Sequence, residues 1–224
     1  MPTIAIVGAG PGLGLALARK FGSEGFNVAL IARNAAKLDN LVSQLAAEQI
    51  SAAACTADLT DRPALRQALH SVAKRFDGID VLEYSPAAAT GRLTPVDVRQ
   101  ASPENVQPQM EFYLYGAMTA AAAVLPAMLD AGSGTLLFTT GGGSIRPVPY
   151  FGNVTTAMAA LRNWALNLGS AVSTSGVHVA HIAIDVWIGD EAPGGKDSMP
   201  ARDIAPLYWD LHTNGTEHEL VVQK

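Results

Sequence analysis

The sequence has little cysteine and no concentration of positive charge. Cys55 is the only cysteine among 224 residues, which excludes an internal disulfide and a cysteine-based metal site. It lies in the apolar run ISAAAC, where we expect a buried, unreactive thiol. The 15 basic and 20 acidic residues give a net charge of −5 and form no basic stripe, so we expect no nucleic-acid partner.

Targeting and membrane signals are also missing from the sequence. No charged segment followed by an apolar stretch opens the chain, so we expect no signal peptide. The longest alanine-rich tract, GAMTAAAAVLPAML, is interrupted by Pro126 and is shorter than a bilayer-spanning helix. The five histidines are scattered without ligand spacing, so we expect no metal site. We therefore expect a soluble protein in a reducing, cytoplasmic setting, with no membrane partner.

What the sequence does contain is a regular alternation of strand-like and helix-like segments. Seven short apolar runs are predicted as strands: TIAIVG, FNVALIA, ISAAACT, IDVLEY, GTLLFTT, VHVAHIAI and HELVVQ. The longest predicted helices cover about 103–130 and 152–173. The alternation predicts one α/β domain over residues 1–224, a doubly wound parallel sheet of about seven strands with helices on both faces. A glycine- and proline-rich loop around 187–205 either orders over a ligand or is a loose connection.

A glycine-rich turn follows the first predicted strand. The segment VGAGPGLG spaces Gly8, Gly12 and Gly14 as G-x-x-x-G-x-G before the first helix. Glycines let a pyrophosphate approach the backbone, and the helix N-terminus offers free N–H groups and a positive dipole. A glycine turn can exist for steric reasons alone, but its place in a doubly wound sheet favours dinucleotide binding. The predicted contacts here are Gly8, Gly10, Pro11, Gly12, Leu13 and Gly14.

These motifs together resemble the short-chain dehydrogenase/reductase family over nearly the whole chain. The resemblance rests on the glycine turn, DLTD after the third strand, IDVL, GTLLFTT, the alanine-rich helix and GVHVAHIAI. It implies a Rossmann-type fold, a nicotinamide dinucleotide cofactor and an oxidoreductase acting on a small carbonyl compound or alcohol. It also implies a homodimer or homotetramer that pairs through the two long helices.

Strand two ends without the acidic residue that NAD-binding members of that family usually place on the ribose hydroxyls. Ala32 stands there instead, followed by Arg33, whose guanidinium suits a 2′-phosphate. A solvated surface arginine is the alternative interpretation. NADP(H) is therefore the expected cofactor, with NAD(H) less favoured. The resemblance further places Asp58 on the adenine amine, although an acidic residue near a helix N-cap fits it too. The remaining predicted cofactor contacts are Asn34, Leu59, Ser85, Pro86, Ala87 and Ile184.

The family's catalytic tetrad is replaced at every position that the alignment of motifs assigns. Its asparagine, serine, tyrosine and lysine fall on Tyr113, Gly141, Val154 and Met158. The exchanges add bulk at one place and remove it at others, which predicts a repacked pocket with little or no ordinary family activity.

Tyr150 is the one nearby candidate for a relocated acid. It lies one helical turn before Val154, but no cation stands at a spacing that would lower its pKa, so we expect it to cap or pack the helix. Ser144 is expected to be a turn residue. Two functions stay open: an oxidoreductase with a degenerate site, and a catalytically inactive NADP(H)-binding or regulatory protein.

Overall fold

The computed structural model describes residues 1–87 and 90–224, and it confirms the predicted architecture. Seven parallel strands form one sheet: β1 (Thr3–Val7), β2 (Asn27–Ala32), β3 (Ala52–Thr56), β4 (Val81–Tyr84), β5 (Gly134–Gly141), β6 (Val177–Ile184) and, last in the chain, β9 (Glu219–Val222). A separate two-stranded ribbon pairs β7 (Trp187–Ile188) with β8 (Ser198–Met199). The strands of the sheet are mostly apolar, as expected for strands that are covered on both faces, although they also bury Glu83 and two histidines.

Helices connect the strands. They are α1 (Leu13–Ser23), α2 (Ala35–Ala47), α3 (Arg62–Phe76), α4 (Pro103–Met110), α5 (Gly116–Ala131), α6 (Gly152–Val172) and α7 (Ala201–Asn214). Two of these helices, α2 and α3, begin at N-cap residues that the sequence supplies. The Asn34 side chain accepts a hydrogen bond from the Lys37 N–H at 2.9 Å, and Asp61 caps α3 ahead of Pro63.

The strand order creates a crevice at one end of the sheet. The order is β3-β2-β1-β4-β5-β6-β9, so the chain reverses direction of winding between β1 and β4. Loops after those two strands leave in opposite directions, which opens a gap beyond their carboxyl ends. The glycine turn after β1 lies at this gap.

Two apolar layers hold the helices against the sheet. α3, α5 and α6 cover one face, and α1, α2 and α7 cover the other. Fully buried leucine and isoleucine side chains in these layers each stabilise the fold by roughly 1.5–3 kcal/mol. Cys55 is only half-buried, and burial raises the pKa of its thiol, which keeps it protonated.

α4 and α5 form one continuous helix, Pro103–Ala131, through a π-helical turn at Glu111–Tyr115. The helix has 29 residues and contains an 18-residue window of mean hydropathy 1.5, so it is long and apolar enough to cross a membrane. The expectation that the alanine-rich tract is too short to span a bilayer was therefore wrong. However, 56% of that window is buried inside the protein, where the helix packs on the sheet beside α3 and α6. Packing in the core is enough to account for its hydropathy.

The predicted lid has more structure than a loose loop. The ribbon of β7 and β8 closes it, with the Trp187 N–H donating to the Asp197 carbonyl at 2.9 Å. It also ends earlier than the predicted boundary of 205, because α7 begins at Ala201 and buries Ile204 and Ala205 in the core. The segment predicted as a lid, called the lid below, therefore covers 187–200.

Candidate functional site

The gap at the carboxyl ends of the strands is a cleft of about 520 Å³. The glycine turn forms one wall, the ends of β4 and β5 form the floor, and the first residues of the lid form the opposite wall. Most of its lining is apolar or glycine. Its lining residues are Gly8, Gly10, Gly12, Leu13, Gly14, Ser85, Pro86, Ala87, Tyr113, Thr139, Thr140, Gly141, Met158, Ile184, Val186, Trp187 and Ile188.

The glycine turn has the backbone geometry that a pyrophosphate site needs. Gly8 has φ +95°, and a Cβ there would stand 2.8 Å from the Pro86 Cα, so only glycine fits. A Cβ on Gly14 would stand 3.0 Å from the Ala9 Cα, which makes glycine necessary for packing α1 against the turn. By contrast, Gly10 and Gly12 face open space, with no atom within 4 Å of a Cβ position. A phosphate group can therefore approach their backbone directly.

A second groove of about 330 Å³ continues from the turn toward the end of β2. Arg33, Asn34 and Lys37 line it, together with Pro11 and Leu59. The Arg33 side chain is 66% exposed and only 3.9 Å separates its Nη1 from Asp58 Oδ2, a long and weak ion pair at the surface. Two cations thus stand at the groove, and Lys37, four residues after Arg33, was not predicted.

Asp58 lies beside this groove rather than among the residues that line it. Its Oδ1 accepts hydrogen bonds from the N–H and the hydroxyl of Thr60, at 2.9 and 2.7 Å. The helix N-cap is Asp61, three residues later. Asp58 therefore stabilises the turn before α3, and its contact with an adenine stays a prediction.

Three of the four residues that the alignment of motifs assigns to the tetrad line the cleft, namely Tyr113, Gly141 and Met158. Val154 is buried in the core at the start of α6 and is not part of the lining. Burial raises the pKa of the Tyr113 phenol to about 12, which makes it a weaker acid than an ordinary tyrosine. A Cβ on Gly141 would have no atom closer than 3.9 Å, so a serine side chain has room there.

Tyr150 precedes α6 and contacts its N-cap residue, but the prediction that it caps the helix was wrong. Tyr150 is 71% exposed in a 3₁₀ turn, Pro149–Phe151, and the N-cap of α6 is Phe151. Its ring contacts that of Phe151 edge-on, at 5.0 Å between centroids. It is absent from the cleft lining, since the 3₁₀ turn directs it away to solvent. Tyr150 is therefore not placed to act as an acid in this cleft.

A fully buried carboxyl group lies directly behind the cleft floor. Glu83 on β4 accepts hydrogen bonds from Ser85 Oγ at 2.8 Å and Thr139 Oγ1 at 2.9 Å, and both of those residues line the cleft. The Thr139 hydroxyl also bonds the Tyr208 hydroxyl at 2.8 Å. Loss of solvation raises the pKa of Glu83 to about 8, against the smaller opposing effect of its hydroxyl donors. Sequence reasoning missed it, although a glutamate inside an apolar strand is itself a signal.

Comparison with known proteins identifies the family of this chain. The sequence profile of the short chain dehydrogenases matches residues 2–186. The chain belongs to that family. A very-long-chain 3-oxoacyl-CoA reductase from Pyricularia oryzae is 24% identical over 183 residues, 82% of this chain and 55% of that protein. An uncharacterized oxidoreductase from Staphylococcus aureus is 27% identical over 132 residues, 59% of this chain and 54% of that protein.

Among solved structures, this short chain dehydrogenase resembles L-sorbose reductase from Gluconobacter frateurii complexed with NADPH and L-sorbose. The TM-score is 0.87 at 20% identity, and the match covers 99% of this chain and 95% of that one. A metagenomic short-chain oxidoreductase in complex with NADP gives a TM-score of 0.83 at 23% identity, covering 99% and 96%. These likenesses confirm the fold. The alignments with the curated relatives span about half the length of those relatives.

Proposed function

We propose that this short chain dehydrogenase binds NADP(H) in the cleft and the adjoining groove, and reduces a small carbonyl compound there without the usual tyrosine–lysine pair. The observation that carries the proposal is the continuity of the two cavities. Gly8, Gly10, Pro86 and Ala87 line both the 520 Å³ cleft and the 330 Å³ groove. An elongated dinucleotide can pass over the glycine turn with one end in each cavity.

The groove supplies the argument for NADP(H) over NAD(H). Arg33 and Lys37 stand at the end of β2, and Ala32 leaves that place without a carboxylate. A 2′-phosphate would gain charge-assisted hydrogen bonds there and would meet no opposing charge from strand two. Both solved structures compared above contain NADPH or NADP, which agrees with the proposal.

When bound, the cofactor would supply the hydride. The residues of this chain would do the remainder: the glycine turn would hold the pyrophosphate, and Ser85, Ile184 and Trp187 would enclose the reacting end. Exclusion of water by an apolar lining strengthens electrostatic interactions inside such a cleft. The proton that the carbonyl oxygen needs must come from a group other than Val154 or Met158, because neither side chain carries one.

The test of the cofactor assignment is a titration of NADPH and NADH into the wild-type protein and into Arg33→Ala. Loss of a charge-assisted contact should weaken NADPH binding by roughly 1–3 kcal/mol and leave NADH binding nearly unchanged. Arg99→Ala is a matched control, because Arg99 is exposed and pairs with Asp97 away from both cavities. Equal losses for both cofactors would remove the argument for phosphate recognition.

A second candidate function, an NADP(H)-binding or regulatory protein without turnover, is favoured by Tyr113. The phenol in the cleft has its pKa raised to about 12, whereas catalysis near neutral pH needs an acid with a pKa near 7. NADPH oxidation against a panel of ketones, aldehydes and quinones separates the two functions. Binding without oxidation on any of them would favour this second candidate.

The proposal extends to setting and assembly. It places the protein in the cytoplasm, with a small-molecule ligand, and without a nucleic-acid or membrane partner. We also propose that two copies of the chain pair through α5 and α6, as is common in the family. The exposed alanines on α5 support this pairing, because small side chains let two helices approach closely.

A further inference from the structure

A chain of hydrogen bonds leads from the wall of the cleft into the protein on the side of α6. Thr140, the residue before Gly141, lines the cleft, and its Oγ1 lies 2.8 Å from His181 Nε2. His181 Nδ1 lies 3.0 Å from Glu219 Oε1. Arg162 of α6 completes the chain, donating to both carboxylate oxygens of Glu219 at 2.6 and 2.7 Å.

The order of the groups is that of a hydroxyl, an imidazole and a carboxylate in series. In such a series the carboxylate fixes the ring's orientation and stabilises the imidazolium, while the ring exchanges a proton with the hydroxyl. The His181 side chain is completely buried, whereas the Glu219 side chain is 27% exposed. The imidazole is therefore held between the cleft and the outer edge of the sheet.

The available donors allow two proton arrangements that differ by one proton. Glu219 as a carboxylate can only accept, so His181 Nδ1 must carry a hydrogen. With neutral His181, Nε2 accepts from the Thr140 hydroxyl. With protonated His181, Nε2 donates to Thr140, whose own hydrogen turns to Ser144 Oγ, 2.8 Å away, or outward to a group in the cleft.

We propose that Thr140 and His181 supply the proton in carbonyl reduction, with Thr140 as the residue that touches the substrate oxygen and His181 acting through it. The inference rests on the proposed function. As hydride reaches the carbonyl carbon, the carbonyl oxygen takes the Thr140 hydroxyl hydrogen and forms the new O–H bond. Thr140 Oγ1 takes the Nε2 hydrogen of protonated His181. The ring becomes neutral, and its Nδ1–H still donates a hydrogen bond to Glu219. After the product leaves, water in the cleft returns a proton to His181 through Thr140.

The placement agrees with this role. Thr140 and His181 point to the face of the sheet that α6 covers, the same face that bears Met158 and Val154. Tyr113 also belongs to the apolar layer on that face. The chain thus presents a proton-bearing group on the wall where the family's tetrad residues are replaced.

The charged groups around His181 set the direction of its pH dependence. The pKa of His181 lies below its ordinary value, chiefly because the ring is buried; the hydrogen bond and charge of Glu219 oppose this shift, and the charge of Arg162 adds to it. β5 and the turn after it, Gly142–Ser144, present hydroxyls but no charge. Reduction needs protonated His181, so its rate should fall as the pH rises. Oxidation of the alcohol needs neutral His181, so its rate should rise with pH.

The test compares Thr140→Val with Thr135→Val, a matched control on the same strand. Thr135 is equally buried but lies at the opposite end of β5, bonded to His212 at 2.9 Å. We expect Thr140→Val to retain NADPH affinity and to lose turnover by about 10²-fold or more, and Thr140→Ser to recover most of it. The control should keep the wild-type rate. Unchanged turnover in a folded Thr140→Val variant would overturn the relay while leaving the proposed function intact.

A second measurement needs no turnover. Nitrogen-15 NMR of the free protein should show His181 with its hydrogen on Nδ1, and Glu219→Gln should shift the His181 titration to lower pH. In the same variant the pH–rate profile for reduction should move down with it. A His181 titration that Glu219→Gln leaves in place would overturn the relay. No hydride transfer by a protein that binds NADPH would instead overturn the proposed function, and the relay with it.

Discussion

Replacement of Glu83 by glutamine should make the protein more stable at neutral and alkaline pH. Glu83 is fully buried, and its pKa is raised from 4.5 to about 8, chiefly by loss of solvation. The native state therefore holds the carboxyl protonated where the unfolded chain has already ionised it. Since the unfolded state binds fewer protons across this range, the free energy of unfolding falls as the pH rises.

The size of the effect follows from the interval between the two pKa values. Each pH unit in that interval costs about 1.4 kcal/mol, so the group removes about 3 kcal/mol of stability between pH 4.5 and pH 7 and about 5 kcal/mol by pH 8. The stability is fully present below the unfolded pKa and is lost as the pH rises toward the folded pKa. Glutamine does not titrate, and its carboxamide can still accept from one neighbouring hydroxyl and donate to the other.

The assay is urea unfolding followed by far-ultraviolet circular dichroism, from pH 5 to pH 9 at one protein concentration. The stability difference between Glu83→Gln and the wild type should grow with pH and level off above about pH 8. Any free-energy penalty for rearranging the hydroxyls of Ser85 and Thr139 is independent of pH. The test is therefore the change of the stability difference with pH, not its size at one pH. Glu191→Gln, at an exposed lid position, is the control for loss of a charge. Parallel stability curves for Glu83→Gln and the wild type would refute the argument from burial.

Two further predictions concern the cleft and the assembly. Restoring the family residues together, as Gly141→Ser, Met158→Lys, Val154→Tyr and Tyr113→Asn, should raise the rate of NADPH-dependent carbonyl reduction. Gly141→Ser alone should change that rate little, because the tetrad works as a unit. A gain in NADPH oxidation from Gly141→Ser alone would contradict this prediction. An aspartate at the exposed position Ala122 on α5 should convert the proposed homo-oligomer to monomers in sedimentation velocity, since an obligate interface buries on the order of 2,000 Å² and tolerates no unpaired charge. A wild-type chain that sediments as a monomer at micromolar concentration would refute the pairing.

The sheet was predictable because its strands are short, apolar and separated by helical patterns. All seven predicted strands are present in the predicted parallel arrangement, and the glycine turn lies at the end of β1 as expected. Gly8 shows why such a prediction succeeds. Its positive φ and its contact with Pro86 admit no side chain, so the residue type reports the backbone geometry directly.

The hydrogen-bonded groups of the site were not predictable in the same way. Thr140, His181 and Glu219 come from three different strands, and their partnership depends on the register of β5, β6 and β9. Nothing in the local sequence of VHVAHIAI indicates that His181 faces a threonine and a carboxylate. Likewise, the exposure of Tyr150 depends on a 3₁₀ turn that the proline-rich segment before α6 permits but does not require.

Two hydrogen-bonded networks of buried polar groups adjoin the cleft, and their arrangement indicates a use for those groups. Thr139 and Thr140 are neighbours on β5, yet they face opposite sides of the sheet, one toward Glu83 and the other toward His181. An isolated carboxyl or imidazole at such depth costs several kcal/mol, and a repacked, inactive pocket would lose nothing by exchanging either for an apolar residue. Here each is instead hydrogen-bonded to a hydroxyl residue that lines the same cleft. Of the two, His181 has an ionised partner, Glu219, which stabilises its protonated form against the burial that lowers its pKa, whereas Glu83 stays neutral through most of the physiological pH range. Substituting Glu83 should therefore change stability more than turnover, and substituting His181 should do the reverse.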